Sequence, residues 1–173
     1  MNAPVSFEHT LTTAHRDAIE HANCWRGRCV NQFARGERLI SEALLTAVPG
    51  AKLPMLLGQR VDKLAKLVEA KPKSANAIET FRGLGSIRNA IVHGDGSVFI
   101  DGQGRWLLQL TFVAGNALVQ ETVNELEADR LLREIQQCVQ RLGTQLKANS
   151  RTPDRAGRPS SAAPARPAAS PRS

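Results

Sequence analysis

Arg88-Asn89-Ala90-Ile91-Val92-His93-Gly94 and, shortly after it, Ser97-Val98-Phe99-Ile100-Asp101 mark the point where the hydrophobic period changes. Before it, apolar residues recur at helical spacing; after it, they alternate. Gly94 stops the helix. Beyond Asp101, the turn Gly102-Gln103-Gly104 leads into 105–113, where Trp106, Leu108, Leu110 and Phe112 share one face at period two. This predicts a β-hairpin at about 97–113. Residues 117–122 add either a third strand or the start of the last helix, and the strand is favoured.

Upstream, the pattern is helical throughout. Ser6 to about Ala22 forms a first helix, with Leu11, Ala14, Ala18 and Ala22 near one face. Trp25 and Gly27 suggest a bend, and a second helix runs from Arg28 to about Val48, closed by Pro49-Gly50. Leu56 to Val68 gives a third, ended by Pro72. Ser74 then caps a fourth, from about Ala75 to Val92 or His93. Asn124 caps a final amphipathic helix carrying Leu126, Leu132, Ile135, Val139, Leu142 and Leu146. The fold class is mainly α: an antiparallel helical bundle with a β-hairpin, or three strands, inserted between the fourth and last helices. Residues 1–148 make the helical domain. Residues 149–173, rich in Pro, Ala, Ser and Arg, cannot bury enough surface to order and are expected to be a disordered tail.

Of the net charge of +7, the stretch from Ser150 supplies +4, from five arginines against Asp154. The globular part is only mildly basic. The basic tail favours polyanions by non-specific attraction. No apolar run is long enough to span a membrane, and no basic-then-apolar leader is present, so the expected location is the cytoplasm. Cys24, Cys29 and Cys138 lack disulfide or zinc spacing. His9, His15 and His21 lie six apart and scatter around a helix, so they cannot jointly hold a metal. Gly83-Leu84-Gly85 lacks the lysine and hydroxyl of a phosphate loop.

On a helical wheel Arg88 falls inside the apolar arc, one turn from both Leu84 and Val92. A guanidinium there needs a partner: a phosphate, a subunit, or an internal acid such as Glu37 or Glu42. Asn89 and His93, four apart, are neighbours on another face, where the amide is placed to orient the imidazole. Arg88 and His93 are separated by about 140°. They are therefore expected to meet only if the helix unwinds at Gly94 or two copies pack about a two-fold axis. Spacing alone is weak, because Arg16 and His21 repeat it.

At these residues the chain resembles the HEPN superfamily, small helical bundles that carry Arg-polar-x3-5-His near the end of a late helix. Arg88-Asn89-Ala90-Ile91-Val92-His93 matches that pattern. The resemblance implies a metal-independent endoribonuclease with no cofactor and no metal site. It acts on RNA as a homodimer, often as a toxin or a defence effector with an antitoxin or regulatory partner. Arg88 and His93 are then catalytic, with Asn89 assisting, and Arg82, Ser86 and Arg105 are read as RNA-binding. The alternatives are a non-catalytic RNA- or nucleotide-binding module of the same fold and a helical protein-interaction domain.

Overall fold

The computed structural model describes residues 12–150, and side chains to 148. The expected start at Ser6, His9 and the tail beyond Ser150 lie outside the described residues. The elements are α1 (Thr13–Ala47), α2 (Leu57–Leu67), α3 (Pro72–Gly83), α4 (Gly85–His93), β1 (Asp95–Ile100), β2 (Trp106–Ala114), β3 (Ala117–Asn124) and α5 (Glu125–Ser150). The chain is thus a mainly helical bundle with an antiparallel sheet inserted before the last helix, ordered β1-β2-β3.

The bend expected at Trp25 and Gly27 is absent: α1 is one helix of 35 residues. Trp25 is core, not junction. Its ring packs against Trp106 with centroids 5.9 Å apart, and its Nε1 donates to the Ala128 carbonyl at 2.8 Å. One side chain thereby joins α1, the sheet and the start of α5. Gly27 costs the helix about 1 kcal/mol against alanine, too little to break a helix whose buried stripe runs through Ala18, Ala22, Trp25, Cys29, Phe33, Ile40 and Leu44. Each large member of that stripe contributes about 1.5–3 kcal/mol by burial.

Pro72 opens α3 rather than closing the helix before it, since proline at the first helical position loses no bond. Ser74, expected to be the cap, lies buried inside that first turn. At the other end of the chain Asn124 does cap: its Oδ1 accepts from the Glu127 N–H at 2.9 Å. Glu125 and Glu127 sit beside it, where the helix dipole favours acids.

The sheet has the expected inner face. Trp106, Leu108, Leu110 and Phe112 are buried, and Leu108 stands between Val98 and Val123. The third strand is present as the favoured reading had it. The β1–β2 turn is tied by Asp101, whose Oδ1 accepts from the Gln103 and Arg105 N–H groups at 2.8 and 2.9 Å. The Arg105 N–H holds the Asp101 carboxyl below its ordinary range, helped by the Arg105 guanidinium. No helix among the described residues is long and apolar enough to cross a membrane.

Candidate functional site

The single helix expected from Ala75 to His93 is two helices. They part at Leu84, whose φ of −81° and ψ of 4° fall in the bridge region. Gly83 and Gly85 flank it, and paired flexible residues are where helices kink. The break has a use in packing. On the α3 side, Phe81 lies over Gly36 of α1, so closely that a Cβ there would collide with the ring. On the α4 side, Arg88 meets Glu37, the next residue of α1. Two adjacent positions of α1 therefore anchor both sides of the break.

Arg88 is mostly buried, with 17% of its side chain exposed, and it pairs with the internal acid Glu37. Glu37 Oε1 accepts from Arg88 Nε at 3.1 Å and from Nη2 at 2.7 Å. The opposite corner of the guanidinium serves the helix's own residues. Nη1 donates to Asn89 Oδ1 at 3.0 Å and lies 2.9 Å from His93 Nε2. Four of the five guanidinium protons are thus committed, and one on Nη2 is left.

Two expectations are corrected here. Arg88 and His93 meet within one helix, with neither unwinding nor a second copy. A wheel treats side chains as points, but a helical side chain leans toward the N-terminus. His93 leans back over the turn before it, and the long arginine spans the rest. Asn89 also binds Arg88, not His93, so it steers the guanidinium rather than the imidazole. Because arginine only donates, Nε2 of His93 must accept, which places the ring proton of neutral His93 on Nδ1.

Beneath His93 the helix ends abruptly. A Cβ on Gly94 would strike the Ala90 carbonyl oxygen, so only glycine lets the chain leave here for β1. The freed carbonyls are taken by Arg26 of α1, whose Nε donates to Ile91 O at 2.7 Å and Nη2 to Gly94 O at 2.5 Å. Arg26 is the site residue that the sequence does not single out. Glu37 is one of the two acids, with Glu42, that the sequence offers as a partner for Arg88. Arg26 carries a signal in its interval: it stands eleven positions before Glu37, three turns and about 20° on a continuous helix. Both therefore share one face of α1.

Of the residues read as RNA-binding, Arg82 lies near the site but is exposed and held by Asp62 at 2.7 Å and Glu79 at 2.9 Å. Ser86 is exposed in the first turn of α4. Arg105 is not brought to the site. It is paired with Asp101 at 2.8 Å, at the far end of the hairpin from His93. The β1 strand between them spans about 20 Å at 3.3 Å per residue. The spacing twin, Arg16 and His21, is exposed on α1 with no hydrogen bond between the two.

No model of a known family, no curated protein and no solved structure matches this chain. The site stands on its own geometry: a donor-rich guanidinium fixed from behind by a carboxylate, an imidazole with an accepting nitrogen against it, and an amide beside both. Among the described residues, no group of three histidines, cysteines or acids is placed to hold a metal.

Proposed function

We propose that this chain is a metal-independent endoribonuclease of HEPN type, acting in the cytoplasm as a toxin or a defence effector. The observation that carries the reading is the 2.9 Å contact of Arg88 Nη1 with His93 Nε2, with Asn89 Oδ1 on the same guanidinium nitrogen. It joins a cation for phosphate charge to an imidazole that can take up and return a proton.

The chemistry balances with these residues. Arg88 Nη1 turns from His93 Nε2 to the phosphate, neutral His93 takes the 2′-hydroxyl proton on the freed Nε2 lone pair, and the 2′-oxygen bonds to the adjacent phosphorus. Arg88 stabilises charge on the non-bridging oxygens. The bond from phosphorus to the 5′-oxygen breaks, and the imidazolium returns a proton to that oxygen. The products are a 2′,3′-cyclic phosphate and a 5′-hydroxyl. Protonation of His93 also ends its acceptance from Arg88. Two donors then face one point, an arrangement suited to an anion. Glu37 positions the guanidinium from the side away from His93. A homodimer and an antitoxin or regulatory partner belong to the proposal through the family likeness, although Arg88 and His93 need no second copy to meet.

The test is cleavage of RNA by the full chain in the presence of a chelator, beside Arg88→Ala and His93→Ala. Each substitution is expected to lower the rate by about a hundredfold or more. Cleavage that survives in both variants removes the site from the mechanism. A parent chain that binds RNA without cutting it supports a second reading, a non-catalytic binding module. That reading has its own observation: Glu37 neutralises Arg88, and together with Asn89 and His93 it leaves only one of the guanidinium protons free.

A further inference from the structure

A groove of about 340 Å³ opens beside Arg88 and Asn89, between α1, α2 and the α3–α4 break. Its floor is apolar, formed by Phe33, Leu57, Val61 and Phe81. We propose that this groove is the nucleobase subsite of the site, holding the base of the nucleotide next to the phosphate bound at Arg88 and His93. The inference rests on the ribonuclease reading and deepens it.

Three features point to a base as occupant. The volume lies at the small end of ligand clefts, room for one base and part of its sugar but not for a helix of a partner protein. The rim supplies donors. Asn89 turns Oδ1 to the donor-only Arg88, so its Nδ2 faces the other way, with no partner among the described residues. An amide N–H₂ there suits a base carbonyl or ring nitrogen. Arg82 also lines the groove, and its guanidinium is pinned by Asp62 and Glu79. A fixed guanidinium plane is a stacking surface for a base. The mouth thus joins an apolar floor to two arginines, which matches a flat ring attached to a phosphate.

Two glycines on the walls, Gly58 and Gly85, make the proposal testable. A Cβ at either meets nothing within 4 Å. Both glycines line the groove and have room for a Cβ, so Gly85→Leu and Gly58→Leu are expected to narrow it, and neither residue takes part in the Arg88–His93 contact.

The experiment has two arms on the full chain. In the first, the four ribonucleoside 5′-monophosphates are titrated while the methyl signals of Leu57 and Val61 are followed by NMR. Shifts at these methyls are expected, with affinity reduced roughly tenfold in Gly85→Leu, the scale of one stacked base. In the second, wild type and Gly85→Leu cut an RNA and the same RNA made abasic at each position flanking the cut. Wild type should show a roughly tenfold higher KM on one abasic substrate. Gly85→Leu should show that KM on both substrates. If Gly85→Leu does not fold, Gly58→Leu takes its place.

Groove methyls unmoved by every nucleotide overturn the subsite, even if RNA is cut. So does an unchanged KM in the filled variants. Methyl shifts that follow protein concentration without nucleotide assign the groove to a second copy of the chain and overturn it as well. Nucleotide shifts abolished by Gly85→Leu in a protein that cuts no RNA uphold the groove and remove the nuclease reading alone.

Discussion

A single carboxylate oxygen of Glu37 takes two protons of Arg88, from Nε at 3.1 Å and Nη2 at 2.7 Å, and so fixes which corner of the guanidinium faces His93. The pair is mostly buried, with 17% and 24% of the two side chains exposed. Glu37→Ala strands a mostly buried cation and is expected to destabilise the fold by about 2 kcal/mol. In a double-mutant cycle with Arg88→Ala, coupling of about 1 kcal/mol or more should appear in urea denaturation. Purely additive effects would mean that the pair does not hold α4.

The tautomer of His93 gives a prediction independent of activity. Arg88 cannot accept a hydrogen bond, so neutral His93 should carry its proton on Nδ1. Nitrogen-15 shifts of the ring report this directly. In Arg88→Ala the preference should relax. An Nε2–H tautomer in the parent would show that the contact does not form in solution.

Arg26 acts on the same helix from its end. Arg26→Ala removes both bonds to the Ile91 and Gly94 carbonyls and should cost about 1–3 kcal/mol. Arg26→Lys should restore little, because one ammonium cannot reproduce the fork. Faster amide exchange is expected at Gly94, whose N–H bonds to the Ala90 carbonyl in this last turn. Unchanged exchange in both variants would show that the last turn holds itself.

Gly36→Ala sets two effects against each other. Helix propensity favours alanine by about 1 kcal/mol. The new Cβ, however, would lie 2.7 Å from Phe81 Cζ and closer still to Cε2, and overpacking costs about 1–3 kcal/mol. Steric conflict should win, lowering the thermal midpoint. A stabilised variant would show that Phe81 yields freely.

Alkaline pH should weaken the fold through its buried thiols. Burial pushes Cys29 from its ordinary 9.0 to about 12, and burial also raises Cys138 against the opposing charge of Arg141. Below pH 9 both folded and unfolded chains keep the Cys29 proton, and its contribution to stability is complete. Between about pH 9 and 12 only the unfolded chain ionises, so stability declines as pH rises. Cys29→Ala should flatten that decline in denaturation curves taken across this range. Cys24, the exposed thiol, should be the one that alkylates in the native state.

The alternation Trp106-Leu108-Leu110-Phe112 announced the sheet and its buried face, because period two admits no helix. Asn124 announced its helix by the same local logic. Arg88 announced itself as misplaced among apolar neighbours, and Glu37 was one of two acids named as its partner. Distant packing was less legible. Trp25 resembled a bend because nothing nearby says that its indole will reach Ala128. The break at Leu84 was hidden because Gly83 and Gly85 are tolerable in a helix until Phe81 and Arg88 pull toward α1. The meeting of Arg88 with His93 was missed because an angle on a wheel ignores side-chain length and lean.

The unbroken course of α1 has a consequence for chain length. Arg26 grips the end of α4 and Glu37 grips Arg88, and both do so from one face because they stand eleven positions apart. One residue inserted between them would swing one grip about 100° from the other and disable the site while leaving Arg88, Asn89 and His93 intact. The six-residue motif is therefore half of a longer pattern. Arginine, ten residues and glutamate on the first helix, with arginine, four residues and histidine on the fourth, is the combination by which chains built on this plan can be sought.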